Sequence, residues 1–110
     1  MKLPNPERAV VDIQKLRDYC LNPEHRRGGH KARVFAASLG LTAADADYLR
    51  EALLVAVRKH DAVPAEADEY GERFVIDFMG SGPAGQAAVR SHWIIRCGED
   101  FPRLTSCFVL

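Results

Sequence analysis

At 110 residues, with 47% hydrophobic and 27% charged side chains and no net charge at pH 7, the chain has room for one hydrophobic core and not for two. That composition excludes a disordered tail, and the longest wholly apolar stretch, Ala52 to Val57, is far too short to cross a bilayer. The charge is uneven: residues 1–60 hold eleven Lys/Arg against seven Asp/Glu and residues 61–110 hold four against eight, so the halves carry +4 and −4 and no global field draws phosphates in.

The first eleven residues contain Pro4 and Pro6, which deny an early helix and predict an extended arm anchored by Val10 and Val11. They offer no apolar run of signal-peptide length, so a cytoplasmic location is expected. Asp12 is a suitable N-cap for a helix through about Tyr19, with Ile13, Leu16 and Cys20 spaced to face inward. Asn22-Pro23 ends it. In the next loop, Gly28-Gly29 allows a sharp turn before a second helix from about His30 to Leu39, its stripe being Ala32, Phe35, Ala36 and Leu39, with Gly40 at the C′ position. Thr42 and Asp45 approximate a capping box for a third helix through about Lys59, with Ala46, Leu49, Leu53, Ala56 and Val57 buried.

Residues 61–72 are acidic, through Asp61, Glu66, Asp68, Glu69 and Glu72, and read as a linker or an edge strand. Strands are predicted over residues 73–79, 87–97 and 103–110, joined by hairpins at 80–85 and 98–100. The architecture is therefore α+β: three N-terminal helices packed on one face of a C-terminal antiparallel sheet of three or four strands, in a single domain over 1–110.

Alternation sorts the strands into faces. Phe74, Ile76, Phe78, Val89, Ser91, Trp93, Ile95, Cys97, Leu104, Phe108 and Leu110 point towards the helices. Arg73, Val75, Asp77, Arg90, His92, Ile94, Arg96, Arg103, Thr105 and Cys107 point away. The outward face thus gathers Arg73, Arg90, Arg96 and Arg103 around His92 and Thr105, with Asp77 the one counter-charge. A one-sided sheet shows water a polar face in any case. Arginine, however, is the side chain best suited to bidentate phosphate contacts, and histidine exchanges protons near neutral pH. The basic loop adds His25, Arg26, Arg27, His30 and Lys31 near a helix N-terminus, where anions are favoured.

Other chemistries lack support. Cys20, His25 and His30 stand at five-residue intervals without a fourth regularly spaced ligand, so no metal is expected. No P-loop or dinucleotide fingerprint is present, so no cofactor is expected either. Three cysteines without CxxC spacing read as reduced thiols.

One set of motifs resembles a small, uncharacterised bacterial domain family that occurs free-standing and as C-terminal tails of polymorphic-toxin proteins. The residues carrying it are Leu3-Pro4-Asn5, Lys15-Leu16 with Tyr19, Leu21-Asn22-Pro23-Glu24-His25, Lys31-Ala32 with Phe35, Arg90 with Trp93, and Pro102-Arg103-Leu104. Arg26 stands where that family's loop carries proline. The layout is similar to the barnase, EndoU, colicin and RelE group of ribonucleases. The resemblance implies a metal-independent, toxin-like RNA-cleaving domain with its site on the open sheet face. His25 or His92 would act as base or acid, Lys31, Arg90 and Arg103 would hold phosphate with Arg96 and Arg73 in support, and Thr105 would position substrate. The partners implied are RNA and a cognate neutralising protein. The alternative is a non-catalytic protein-binding module or an inactive relative, a partner in a toxin–immunity or regulatory pair.

Overall fold

Asp12 does cap the first helix. In a computed structural model covering residues 1–110, its carboxylate accepts the Gln14 N–H at 2.9 Å, opening α1 (Ile13–Lys15). The helix then widens into a π-helical turn, Leu16–Cys20, whose Leu16 and Cys20 are buried. The arm before it makes one 3-10 turn, Pro6–Arg8, and lies along the sheet: Val10 forms a parallel bridge with Arg103, giving its N–H to Pro102 and accepting that of Leu104. Leu3 and Val11 are its buried anchors, whereas Val10 is largely exposed.

Helix α2 (Gly29–Leu39) buries Ala32, Phe35 and Leu39, while Ala36 of the expected stripe faces water. The capping box holds, with the Asp45 carboxylate accepting the Thr42 N–H at 2.9 Å before α3 (Ala46–Lys59). All five expected positions of α3 are buried. No helix is long and apolar enough to cross a membrane.

The remainder is an antiparallel meander in the order β1-β2-β3-β4: β1 (Val63–Asp68), β2 (Gly71–Gly82), β3 (Gly85–Arg96) and β4 (Arg103–Val109). The fold is thus α+β, with three helices and a four-stranded C-terminal sheet. Strands β2 and β3 are longer than the apolar runs suggest, since Gly82 pairs with Gly85 and only Pro83 and Ala84 form the turn. That turn meets the end of α2. Gly40 has φ 73°, as a C′ glycine should, and the Ala84 N–H donates to the Leu39 carbonyl at 3.1 Å. A Cβ at Gly82 would collide with that same carbonyl oxygen, so no larger residue fits.

Helices and sheet share one core, in which Phe74, Ile76, Phe78, Val89, Trp93 and Leu104 are buried and Ile95 is partly buried. Phe108 departs from the expectation. The register of β3 with β4 shifts between His92 and Trp93, so Thr105 is an extra residue between Leu104, opposite Trp93, and Ser106, opposite His92. A bulge of this kind reverses the faces beyond it. Cys107 therefore enters the core and Phe108 turns outward against His92. Cys97 and Leu110, expected inward, are exposed because each lies just past the end of its strand. Ile94, outward by alternation, is buried between its register neighbours Arg73 and Arg103, whose long apolar stems suit them to cover it.

Ser91 is the buried polar side chain of the core. Its hydroxyl donates to the Ile76 carbonyl at 2.7 Å and accepts the Trp93 indole N–H at 2.8 Å, so both polar groups are satisfied. Ser91→Ala is expected to cost about 1–3 kcal/mol, because it leaves the indole N–H unpaired in an apolar surround. Denaturant unfolding measures this, and an unchanged midpoint would mean that the indole finds another acceptor.

Candidate functional site

The open side of the sheet carries a groove of about 430 Å³ that runs from β1 to β4. Its walls include Lys31 of α2, Glu66 of β1, Arg73 of β2, His92 of β3, and Thr105, Ser106 and Phe108 of β4. Of the residues singled out from sequence, Lys31, Arg73, His92 and Thr105 line it together. Each reaches it for a local reason. Arg73 and His92 are outward positions of paired strands, Thr105 is the bulged residue, and Lys31 projects from the first turn of α2.

Around Phe108 the groups are closely packed. Its ring stacks on the His92 imidazole at 5.6 Å between centroids, and the Lys31 ammonium lies 4.1 Å from the Phe108 centroid. The Thr105 hydroxyl donates to the His92 carbonyl at 3.1 Å, and the Lys15 ammonium donates to the Thr105 carbonyl at 3.1 Å, which pins the bulge from both sides. The His92 imidazole is held below its ordinary pKa, first by burial and then by the positive charges of Arg90 and Lys31, with Asp77 opposing weakly. Its neutral form is therefore more favoured than that of an ordinary histidine.

The arginines are less free than the sequence suggests. Arg90 sits opposite Asp77 in the register and forms a two-pronged ion pair with it, at 2.9 and 2.8 Å, which holds the Asp77 carboxyl below its usual range. Arg103 makes a similar pair with Glu99 at 2.8 and 2.9 Å, and Arg73 pairs with Asp68. Arg96 is exposed at the end of β3. Hence Arg90 borders the site through its charge on His92 rather than lining it.

His25 lies elsewhere. It lines a separate polar hollow with Asn22, Glu24, Arg26 and Arg27, and its Nδ1 accepts the backbone N–H groups of Arg27 and Gly28 at 3.1 and 3.0 Å. Its ring meets Tyr19 edge-on at 4.5 Å. These contacts hold the loop that launches α2. Cys20 is buried while His30 is exposed, and no three His, Cys, Asp or Glu side chains converge as a ligand set. A more apolar hollow of about 370 Å³, lined by Tyr48, Val55 and Met79 among others, lies between α3 and β2, and none of the site residues singled out from sequence lines it.

Glu66, Ser106 and Phe108 are the groove residues that sequence reasoning missed. Glu66 belongs to an exposed strand with no alternation to place it, and Ser106 and Phe108 were misplaced or passed over because of the bulge. Chemically, the groove offers an imidazole, a carboxylate, two hydroxyls and two cations around an aromatic floor, enough for proton transfer and for stabilising an anion.

No curated protein sequence matches the chain. Among solved structures, one chain of a contact-dependent growth inhibition toxin–immunity protein complex from Klebsiella pneumoniae 342 has a similar fold, with a TM-score of 0.71 at 16% identity over 92% of this chain and 99% of that one. One family profile matches residues 2–110, and the chain belongs to that family, described as a domain of unknown function (DUF6883).

Proposed function

We propose that the chain is a metal-independent RNA-cleaving domain of a toxin-like kind, acting in the groove between Lys31, His92 and Thr105. The observation that carries the reading is a partly buried histidine, stacked on Phe108, in a groove shared with a lysine, an arginine and hydroxyl groups. His92 takes the proton of a ribose 2′-hydroxyl, the freed oxygen bonds to phosphorus as the P–O5′ bond breaks, and the 5′ oxygen leaves with a proton from water. Lys31 and Arg73 stabilise charge growing on the phosphoryl oxygens, and Thr105 or Ser106 orients the phosphate. Phe108 offers a face on which a base stacks. The fold relative belongs to a toxin–immunity protein complex, which supports a place for this chain in such a pair. The test is incubation of the purified chain with a labelled RNA pool in a metal chelator. The expected products end in a 2′,3′-cyclic phosphate, and intact RNA at high protein concentration would overturn the reading.

The ion pairs favour a second reading, a non-catalytic partner in a toxin–immunity or regulatory pair, since Arg73, Arg90 and Arg103 are each already neutralised by a carboxylate. The two readings differ in what freeing an arginine does. Asp77→Asn releases Arg90, and for an RNA-binding face it should steepen the dependence of log K on log salt by about 0.7, the contribution of one single-strand phosphate contact. Binding titrations at several salt concentrations measure the slope. An unchanged slope would favour the protein-binding module.

A further inference from the structure

The last helical turn of the first segment and the last strand each contain a backbone irregularity, and both irregularities lead to a cysteine. The π-helical turn Leu16–Cys20 ends the first helical segment on Cys20, which it buries together with Leu16. The Thr105 bulge turns Cys107, outward by simple alternation, into the core. The two elements are tied by the Lys15 ammonium on the Thr105 carbonyl. Cys20 and Cys107 are each 3% exposed, lie in the same core on these two tied elements, and each perturbs the ionisation of the other, while Cys97 stands apart and exposed.

We propose that Cys20 and Cys107 form a dithiol that hydrogen peroxide oxidises to a disulfide joining the first helical segment to the last strand. The pair is asymmetric in the way such a reaction requires. The neighbouring Cys107 lowers the Cys20 thiol against the opposing effect of burial, with help from Lys15 and Lys31, whereas Cys20 and burial push Cys107 up. Cys20 is the attacking sulfur and Cys107 the resolving one.

In the first step the Cys20 thiolate attacks one peroxide oxygen, the O–O bond breaks, and the departing hydroxide takes up the proton that Cys20 lost, leaving a sulfenic acid and water. In the second, the Cys107 sulfur attacks the sulfenic sulfur. The S–S bond forms, the S–O bond breaks, and hydroxide leaves with the Cys107 proton as a second water. Two thiols and one peroxide thus give one disulfide and two waters, the two electrons lost by the sulfurs having reduced the O–O bond. Peroxide is close to water in size, so local opening of the first helical segment admits it where a bulky disulfide oxidant is excluded.

The experiment uses the full chain carrying Cys97→Ser, which removes the exposed thiol and leaves the core intact. Hydrogen peroxide should take the titratable thiols from two to none, lower the monomer mass by two hydrogens, and yield one peptide cross-link between positions 20 and 107 that dithiothreitol reverses. Because the bridge closes most of the chain into one loop, the oxidised form should unfold at least about 10 °C higher than the reduced form. Cys107→Ala in the same background should stop at a sulfenic acid captured by dimedone, and if that variant does not fold, the thiol count and mass of the first protein decide alone. Two thiols persisting after treatment, addition of oxygen to the mass without loss of hydrogen, or dimers in place of a monomeric cross-link would each overturn the proposal.

Discussion

Trp93→Ala is expected to lower the free energy of unfolding by about 3–5 kcal/mol, a large part of the roughly 5–15 kcal/mol of a typical domain. Trp93 is fully buried at the centre of the sheet, facing Phe74 on one neighbouring strand and Leu104 on the other. Truncation removes the largest side chain of the core and leaves a cavity between two layers that cannot close without moving α2 or β4. It also removes the donor to the Ser91 hydroxyl, although Ser91 keeps its bond to Ile76. Urea unfolding of both proteins measures the difference. Trp93→Phe, which keeps most of the volume and loses the N–H, should fall between the two, and an alanine variant within about 1 kcal/mol of the wild type would remove tryptophan from the core.

For activity, the largest effect belongs to His92. His92→Ala should reduce RNA cleavage by about 10²–10⁴-fold, the range for a general base, while His25→Ala should leave the rate unchanged, because the His25 side chain contacts its own loop and Tyr19 away from the groove. The pH profile carries more information than the loss itself. Burial and the charges of Arg90 and Lys31 disfavour the imidazolium, so the basic form persists below the ordinary histidine range. Cleavage should therefore rise with pH through a midpoint below about 6.5 and be level at neutrality. Lys31→Ala removes one of those charges and should move the midpoint upward whatever it does to the maximal rate. A rate within about tenfold of wild type in His92→Ala, or a midpoint that Lys31→Ala leaves in place, would remove His92 from the chemistry.

The fold was legible wherever the pattern admitted a single answer. Capping residues and 3.6-residue spacing placed α2 and α3, and alternation placed Phe74, Ile76, Phe78, Val89, Trp93 and Leu104. At β4 the pattern stopped deciding, because Cys107 and Phe108 are adjacent and both apolar, so either register buries a hydrophobe. Only the pairing with β3 reveals the bulge. The groove was partly legible for the same reason: Arg73, His92 and Thr105 were placed on the open face, but Phe108 was assigned away from it and Ser106 was given no face. The Arg90–Asp77 pair depends on register, which composition does not contain. Glu66 reaches the groove through the pairing of β1, a strand exposed along its whole length that carries no hydrophobic signature. The His25 loop lies apart from the groove, a placement that a motif alone does not give, and its imidazole holds the turn that launches α2.

The contact between Leu39 and the Gly82–Gly85 turn bears on how the fold tolerates variation. Hairpin tips are ordinarily where chains accept insertions and exchange residues. This one is wedged against the carbonyl end of α2, with backbone touching backbone at Gly82 and Gly40. It behaves as a rivet between the helical and sheet halves, and lengthening it by a residue would push them apart. Room for change is left instead at the bend around Gly98, where an added Cβ would meet nothing within 4 Å and the register of β2 with β3 is not involved.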